Sequence, residues 1–309
     1  LFEGWLLSTG GITEDDGYGV SRGRQGPYLT AIREFRQAIT DDSPDRLTIE
    51  QARALVRWLQ TDSGHAPGTQ RVKLLCLSNM CKIGVRDGLI SANPFDQFKI
   101  SIPAGAIDAS GYRSFRREEL IRIFAVVNRE RTTHHRLIPW ILLTTGCRLS
   151  EAVQLRTYDI KQTDAGVWFF NWRYEPKGEY PMMLKSKSDN NRQCPMHPCL
   201  IDTGILKLDL SYKGRLFPDV SQHNASHSKH FQKLLQAQGI WEKKKTCYHS
   251  FRNNAQEMWR EAGIPIDYRN AITGHKAIGA SEQHYGKLLN DMPDQLFEQL
   301  INVDLSWLP

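Results

Sequence analysis

The chain has 309 residues, 40% of them hydrophobic and 24% charged, which excludes a disordered polymer and suits about two globular domains. No apolar run approaches the roughly 20 residues of a membrane-spanning helix; the longest, 137–145, is short and contains Pro139. The net charge is +6, and residues 1–103 hold 12 basic and 12 acidic side chains, so the whole excess lies beyond them. Such an excess permits an anionic partner such as DNA without requiring one.

Six cysteines, at 76, 81, 147, 194, 199 and 247, are too sparse for a disulfide framework, and a reduced, cytoplasmic chain is expected. Leu1 is not an initiator Met and no signal peptide follows it, so an N-terminal piece is expected to be absent. The run Cys194-Pro-Met-His197-Pro-Cys199 offers too few ligands for zinc and reads as a strand end.

Residues 1–28 are rich in glycine (Gly4, Gly10, Gly11, Gly17, Gly19, Gly23, Gly26) and read as irregular or extended. A helix is expected at about 29–38. Thr48-Ile-Glu-Gln51 is a capping box that opens a second helix, with Leu55, Trp58 and Leu59 on one stripe. A third is expected over 69–86, with Val72, Leu75, Cys76, Met80 and Ile83 at helical spacing; Gly88 ends it and Asn93-Pro94 stops continuation. Residues 101–112 have linker composition. Ser114 reads as an N-cap, with Glu118 and Glu119 where the helix dipole favours acid. Helices follow at about 115–128, 134–144 and from 147–150 to 155. The period then changes. Residues 167–174 are aromatic and β-prone, and 180–187 and 192–197 flank a hairpin-type turn at 188–191. Helices resume at about 224–238, 249–262, 267–273, 279–289 and 293–302. The reading is mainly α with a small antiparallel sheet. It places a helical domain at 1–105 and a mixed α/β domain at 106–309, ending in a tail at 291–309.

Four local patterns stand out. In Thr145-Gly146-Cys147-Arg148-Leu149-Ser150-Glu151, Arg148 and Glu151 share a helical face, so Glu151 can hold the guanidinium with donors left over. A lone pair of this kind is ordinarily a surface ion pair worth little. In His249-Ser-Phe-Arg252 two basic groups share a face, which suits a common anion; the bland alternative is a solvated basic face after Lys243-Lys244-Lys245. Gly274-His275 reads as a helix C-cap with a donor beside it, or simply as a turn. Tyr285 follows ten residues later, where packing is the ordinary role.

Taken together and in this order, these residues resemble the tyrosine recombinase (phage integrase) family. The matching elements are TGxRxxE at 145–151, HxxR at 249–252, GH at 274–275 and Tyr285, with a sheet between the first two. LFP at 216–218, HSFR at 249–252 and EAGIPIDYRNAITGH at 261–275 are similar to the phage- and genomic-island-integrase branch, and the first third, ending GLISANPF at 88–95, resembles the family's helical core-binding domain. The family often places His-Thr after HxxR, where this chain has Asn253-Asn254, and its commonest His–Tyr spacing is one residue shorter.

The resemblance implies a helical core-DNA-binding domain, a catalytic domain and a site-specific recombinase acting through a 3′-phosphotyrosyl intermediate. Arg148 and Arg252 would clamp the phosphate, supported by Glu151. His249 would serve as base or donor and His275 would donate. Tyr285 would attack. The family's general acid is a lysine on a β-hairpin, and both Lys185 and Lys187 fit: spacing to Arg192 and Pro195 favours Lys187, and the flanking Leu184 and Ser186 favour Lys185. No metal or other cofactor is implied. The implied partners are double-stranded DNA carrying attachment or core sites, gripped by both domains as a C-shaped clamp, three further copies in a synaptic tetramer, and DNA-bending or excision accessory proteins. No membrane partner is expected, and the place of action is the bacterial cytoplasm, at the nucleoid. The tail, with Leu296, Phe297, Leu300, Ile301 and Leu305, could dock on a neighbouring protomer or pack on its own domain; exposure would favour the former. Competing readings are a non-catalytic DNA-binding relative, for which the complete set of key groups is evidence against, a type IB topoisomerase-like enzyme, and, remotely, a metallohydrolase.

Overall fold

The computed structural model describes residues 22–39, 47–102, 111–185, 190–220, 225–275 and 288–309. The chain divides into two units, Leu1–Ser110 and Gly111–Pro309. The boundary expected near 105 and the expected helix at 279–289 (up to 287) lie outside the described residues.

The first unit contains α1 (Arg22–Ala38), α2 (Ile49–Thr61) and α3 (Pro67–Arg86) around one core that includes Phe35, Leu55, Leu59, Leu77, Met80 and Phe95. α1 begins at Arg22, so the irregular reading fails over 22–28. Gly23, Gly26 and Pro27 lie inside the helix, and burial of Ala31, Ile32 and Phe35 further along outweighs their poor helix propensity. The capping box of α2 is present: the Gln51 amide donates to Thr48 Oγ1 at 3.2 Å and the Thr48 amide to Gln51 Oε1 at 3.0 Å. In α3 the expected apolar stripe holds at Cys76 and Met80, which are buried, and fails at two positions. Val72 and Leu75 are exposed, whereas Gln70, Lys73, Leu74, Leu77 and Cys81 face inward. Lys73 tolerates that position because its ammonium pairs with Glu34 of α1 at 2.8 Å.

The second unit runs α4 (Arg117–Val127), α5 (Thr133–Thr145), α6 (Leu149–Val153), β1 (Ile160–Gln162), β2 (Trp168–Trp172), β3 (Arg192–Pro195), α7 (Pro198–Asp202), α8 (Ala225–Ala237), α9 (His249–Glu261), α10 (Ile266–Thr273) and α11 (Pro293–Leu300). α5 is its axis. Every residue from Leu137 to Thr145 is buried, which requires neighbours all round. Phe124 of α4 packs on Trp140 at 4.3 Å, and Phe251 of α9 lies 5.8 Å from Phe124. α4 does not start at Ser114. Its N-cap is Arg116, whose amide donates to Glu119 Oε2 at 2.8 Å.

The sheet is antiparallel in the order β1-β2-β3, with Phe170 opposite Ile160 and Cys194 and Trp172 opposite Arg192. The expected strand at 180–187 is absent from its described part. Only a bridge between Glu175 and Met182 forms, because the segment turns Met182 and Leu184 into the core. Arg215 fixes it by donating to Pro181 O at 2.7 Å, and the Met183 amide donates to Gln154 Oε1 at 2.8 Å.

The tail packs on its own unit. Leu296, Leu300, Val303 and Leu305 are buried, and only Ile301 of the expected apolar set is exposed. Burying one such leucine contributes about 1.5–3 kcal/mol. His197 secures the tail through a 3.0 Å Nε2 contact with Val303 O, while its Nδ1 accepts from the Cys199 amide. With both ring nitrogens used, His197 caps α7 rather than binding a metal.

Candidate active site

The site is assembled where α5 ends. Gly146 takes φ +58° as its C-cap, and a Cβ there would fall 2.9 Å from Thr273 Cγ2 and 3.0 Å from the Trp259 ring. Only glycine both turns left-handed and lets α9 and α10 approach this closely. The turn delivers Arg148 as N-cap of α6.

Glu151, fully buried, holds two guanidiniums. Arg148 Nη1 donates to its Oε1 at 2.9 Å and Arg192 Nη2 to its Oε2 at 2.7 Å, while the Arg148 amide donates to Oε2 at 3.1 Å. Burial alone would raise this carboxyl's pKa. Arg192 first, then the Arg148 amide and guanidinium, reverse that and hold it at about 2. Arg192 is itself buried, lies over the Trp172 ring at 4.5 Å, and donates to Ile272 O at 2.9 Å.

α9 supplies His249 at its first residue and Arg252 one turn later. Arg252 is buried. It donates to Gly146 O and Thr273 O, and its Nη2 lies 2.7 Å from His275 Nε2. Burial and the Arg148 charge push its pKa down to about 10. His275 follows Gly274, which caps α10 at φ +67° and leaves only 3.1 Å between a hypothetical Cβ and Arg192 Nη1. Arg252 cannot accept, so His275 Nε2 accepts from it, and Nδ1–H is left to donate to Thr273 Oγ1 at 3.2 Å. Burial, then Arg252 and Arg148, push His275 down to about 4. His249 is lowered as well, by burial and then by Arg252, Arg148 and Lys185.

Arg148, His249, Arg252 and His275 are therefore electrostatic neighbours, and Lys185 is a neighbour of His249. Among the described residues Glu151 is the carboxylate coupled to the arginines of this group and to Arg192, so positive charge is left over on a face that His249, His275 and Lys185 expose. Lys187 and Tyr285 lie outside the described residues.

Three further residues matter that the sequence gave no reason to weigh as site residues. Arg192 and Thr273 orient the others, and their only signals were RxxP spacing and position before Gly274. Asn254 stands where the family often has threonine: its side chain accepts from the Phe115 amide at 2.9 Å and donates to Phe115 O at 2.7 Å. Asn253 donates to Tyr112 O at 2.6 Å. The departure is thus a pair of ties between α9 and the segment entering this unit.

Residues 113–291 match the phage integrase family. Curated protein sequences yield no match. The fold is similar to lambda integrase residues 75–356, solved as a dimer bound to a COC′ core site, with TM-score 0.62 and 15% identity over 89% of this chain and 95% of that one. It is similar to a lambda integrase tetramer bound to a Holliday junction, at TM-score 0.63 and 16% identity over 90% and 78% of the two chains. It is also similar to the Tn1549 transposon integrase, residues 82–397, in complex with circular intermediate DNA, at 0.61 and 16% over 93% and 97%. The family match spans more than half of the chain and all four motifs: the protein belongs to the phage integrase family, the tyrosine recombinases, and its activity is site-specific DNA breaking and rejoining.

Proposed function

We propose that Arg148, Lys185, His249, Arg252 and His275 bind the scissile phosphodiester of a duplex attachment site, and that Tyr285 is the nucleophile. The observation that carries this reading is the gathering of three guanidiniums around the Glu151 carboxylate, with His275 and His249 beside them and the Lys185 ammonium beside His249. A phosphate brings the missing negative charge. In-line displacement then needs the non-bridging oxygens stabilised and the leaving oxygen protonated.

Arg148 and Arg252 provide the clamp. Their planar forks suit two phosphate oxygens, and Glu151 with Arg192 fixes the first of them. The Tyr285 oxygen attacks phosphorus, its proton passing to His249 or to water. The bond from phosphorus to the 5′-oxygen breaks, and a lysine ammonium protonates that oxygen. The 3′-phosphotyrosyl ester keeps the bond energy until another strand's 5′-hydroxyl reverses the step. Lys185 is the better supported acid, since its charge already reaches His249; Lys187 is the alternative. His275 Nε2 accepts from Arg252 without DNA, so donation to a phosphate requires it to gain a proton, which the phosphate's charge favours.

The first unit serves as the core-DNA-binding domain, its contacts going mainly to phosphates. Four copies act together in the synapse, in the bacterial cytoplasm, with DNA-bending or excision factors as additional partners. The test is recombination between duplexes carrying the ends of the resident element. Tyr285→Phe is expected to bind DNA with the parent's salt dependence and to yield no recombinant. Recombination at the parental rate by that variant would overturn the mechanism.

A further inference from the structure

About 18 Å along α5 from its active-site end, at one 1.5 Å rise per residue, lies a second cluster of nitrogen ligands. His134 and His135 in the first turn of α5 meet His227 and His230 of α8. The ring centroids of His134 lie 4.4 Å from His135 and 4.9 Å from His227. One ligand atom from each of His134, His135 and His227 lies within 4.8 Å of the others. We propose that these three imidazoles bind a late first-row divalent metal ion of the zinc class.

Two observations carry this, beside the clustering itself. His227 is 97% buried by its 3% exposure, yet its Nδ1 has no hydrogen-bond partner, an arrangement that costs free energy unless a ligand is supplied. All three ligands are imidazoles, which suits zinc, copper or nickel and not magnesium or calcium. The distances, up to 4.8 Å, must still close by as much as about 1.4 Å, because nitrogens around a tetrahedral ion at about 2.0–2.1 Å lie about 3.4 Å apart.

A second set, Glu130, His135 and His230, shares His135 and has the weaker claim. His230 Nε2 and Glu130 Oε1 already satisfy each other at 3.0 Å, and His230 stacks on His135 at 3.6 Å. That pair acts better as support, fixing the His135 ring from behind. Glu130 and Asp219 bring the negative charge near His134 that offsets the positive ends of two helices. An ion here ties α5 to α8, whose Phe231 stacks on Tyr248 at 4.2 Å, next to His249.

The test uses the full-length chain, reduced and stripped with chelator. Zinc is titrated against a chromophoric chelator, and cobalt(II) serves as the spectroscopic probe. One equivalent is expected, with a four-coordinate cobalt spectrum free of thiolate charge transfer. His134→Gln, at a half-buried position, should weaken binding at least tenfold, as should His227→Gln if it folds, while Cys199→Ser and Cys247→Ser leave it unchanged. No stoichiometric binding in the micromolar range overturns the proposal, as does binding that survives His134→Gln or falls only with the cysteine variants.

Discussion

α5 carries a cluster of nitrogen groups at each end, and the two are built on opposite principles. At its C-terminal end burial, and then the fixed charges of Arg148, Arg192 and Arg252, depress the neighbours: His275 falls to about 4 and Arg252 to about 10. At its N-terminal end burial again comes first, but the charged neighbours are other imidazoles and, at His134, the carboxylates of Asp219 and Glu130, and His135 and His227 reach the same value of about 4. The shift is alike and the meaning differs. A crowd of fixed cations around one carboxylate is completed by an anion at any ordinary pH. A crowd of neutral imidazoles is completed by a cation, and only above the pH at which they protonate. The charged neighbours of a buried group, not the size of its pKa shift, say what a cluster is ready to bind.

The largest expected effect breaks the anion end. Arg252→Ala removes half of the clamp and strands the Gly146 and Thr273 carbonyls. Strand cleavage in single turnover should fall by about 10²–10³-fold or more, with stability lower by about 1–3 kcal/mol. Retention of parental cleavage would remove Arg252 from the site. Next comes the choice of acid. Lys185→Ala should slow cleavage by about 10²-fold or more, and a substrate with sulfur at the leaving 5′ position, which needs no proton, should restore it. The same loss and rescue with Lys187→Ala instead would transfer the role.

Glu151→Gln tests the carboxylate between the two guanidiniums. It leaves Arg192 buried without a counter-charge, and urea unfolding should show a loss of about 3–5 kcal/mol. The parent has a matching acid signature. The folded pKa of about 2 lies below the ordinary 4.5, so this contribution of about 3 kcal/mol is complete above pH 4.5 and drains as pH falls toward 2. Gly146→Ala should cost about 1–3 kcal/mol from its positive φ, more where Thr273 cannot move. The last effect is the response of the histidine end to zinc, since the pH window itself is shared with His275. Because the folded pKa of His135 and of His227 lies below 6.5, the unfolded chain takes up protons first, so stability falls between pH 6.5 and about 4. Glu130, Asp219 and His230 face this cluster and shape the curve. Zinc should raise the melting temperature by a few degrees at pH 7.5, and the gain should be lost as pH falls through about 4.

Motif chemistry was legible because it is local. The Arg148–Glu151 and His249–Arg252 pairs each sit within one turn, so their shared faces follow from spacing alone. The capping box at Thr48 was readable for the same reason. What escaped depends on distant partners. Val72 and Leu75 looked like core, but the inner face of α3 admits Lys73 because Glu34, 39 residues earlier, neutralises it. The segment at 180–187 reads as a strand, yet Arg215 and Gln154 hold its described part, 180–185, as an irregular arm. Arg192 looked like a spacing marker, and only its 2.7 Å bond to Glu151 gives it a purpose. The histidine cluster joins α5 to α8 across about ninety residues, which no periodicity reveals.

The most direct test of the central claim is covalent capture. The protein is incubated with EDTA on nicked duplexes spanning the ends of its resident element, resolved on a denaturing gel, and the adduct is mapped by peptide analysis. The account predicts a DNA–protein adduct on Tyr285, absent from Tyr285→Phe and reduced by about 10²-fold or more in Arg252→Ala. An adduct on any other residue, or salt-sensitive binding to these duplexes with no adduct under any condition, would contradict it.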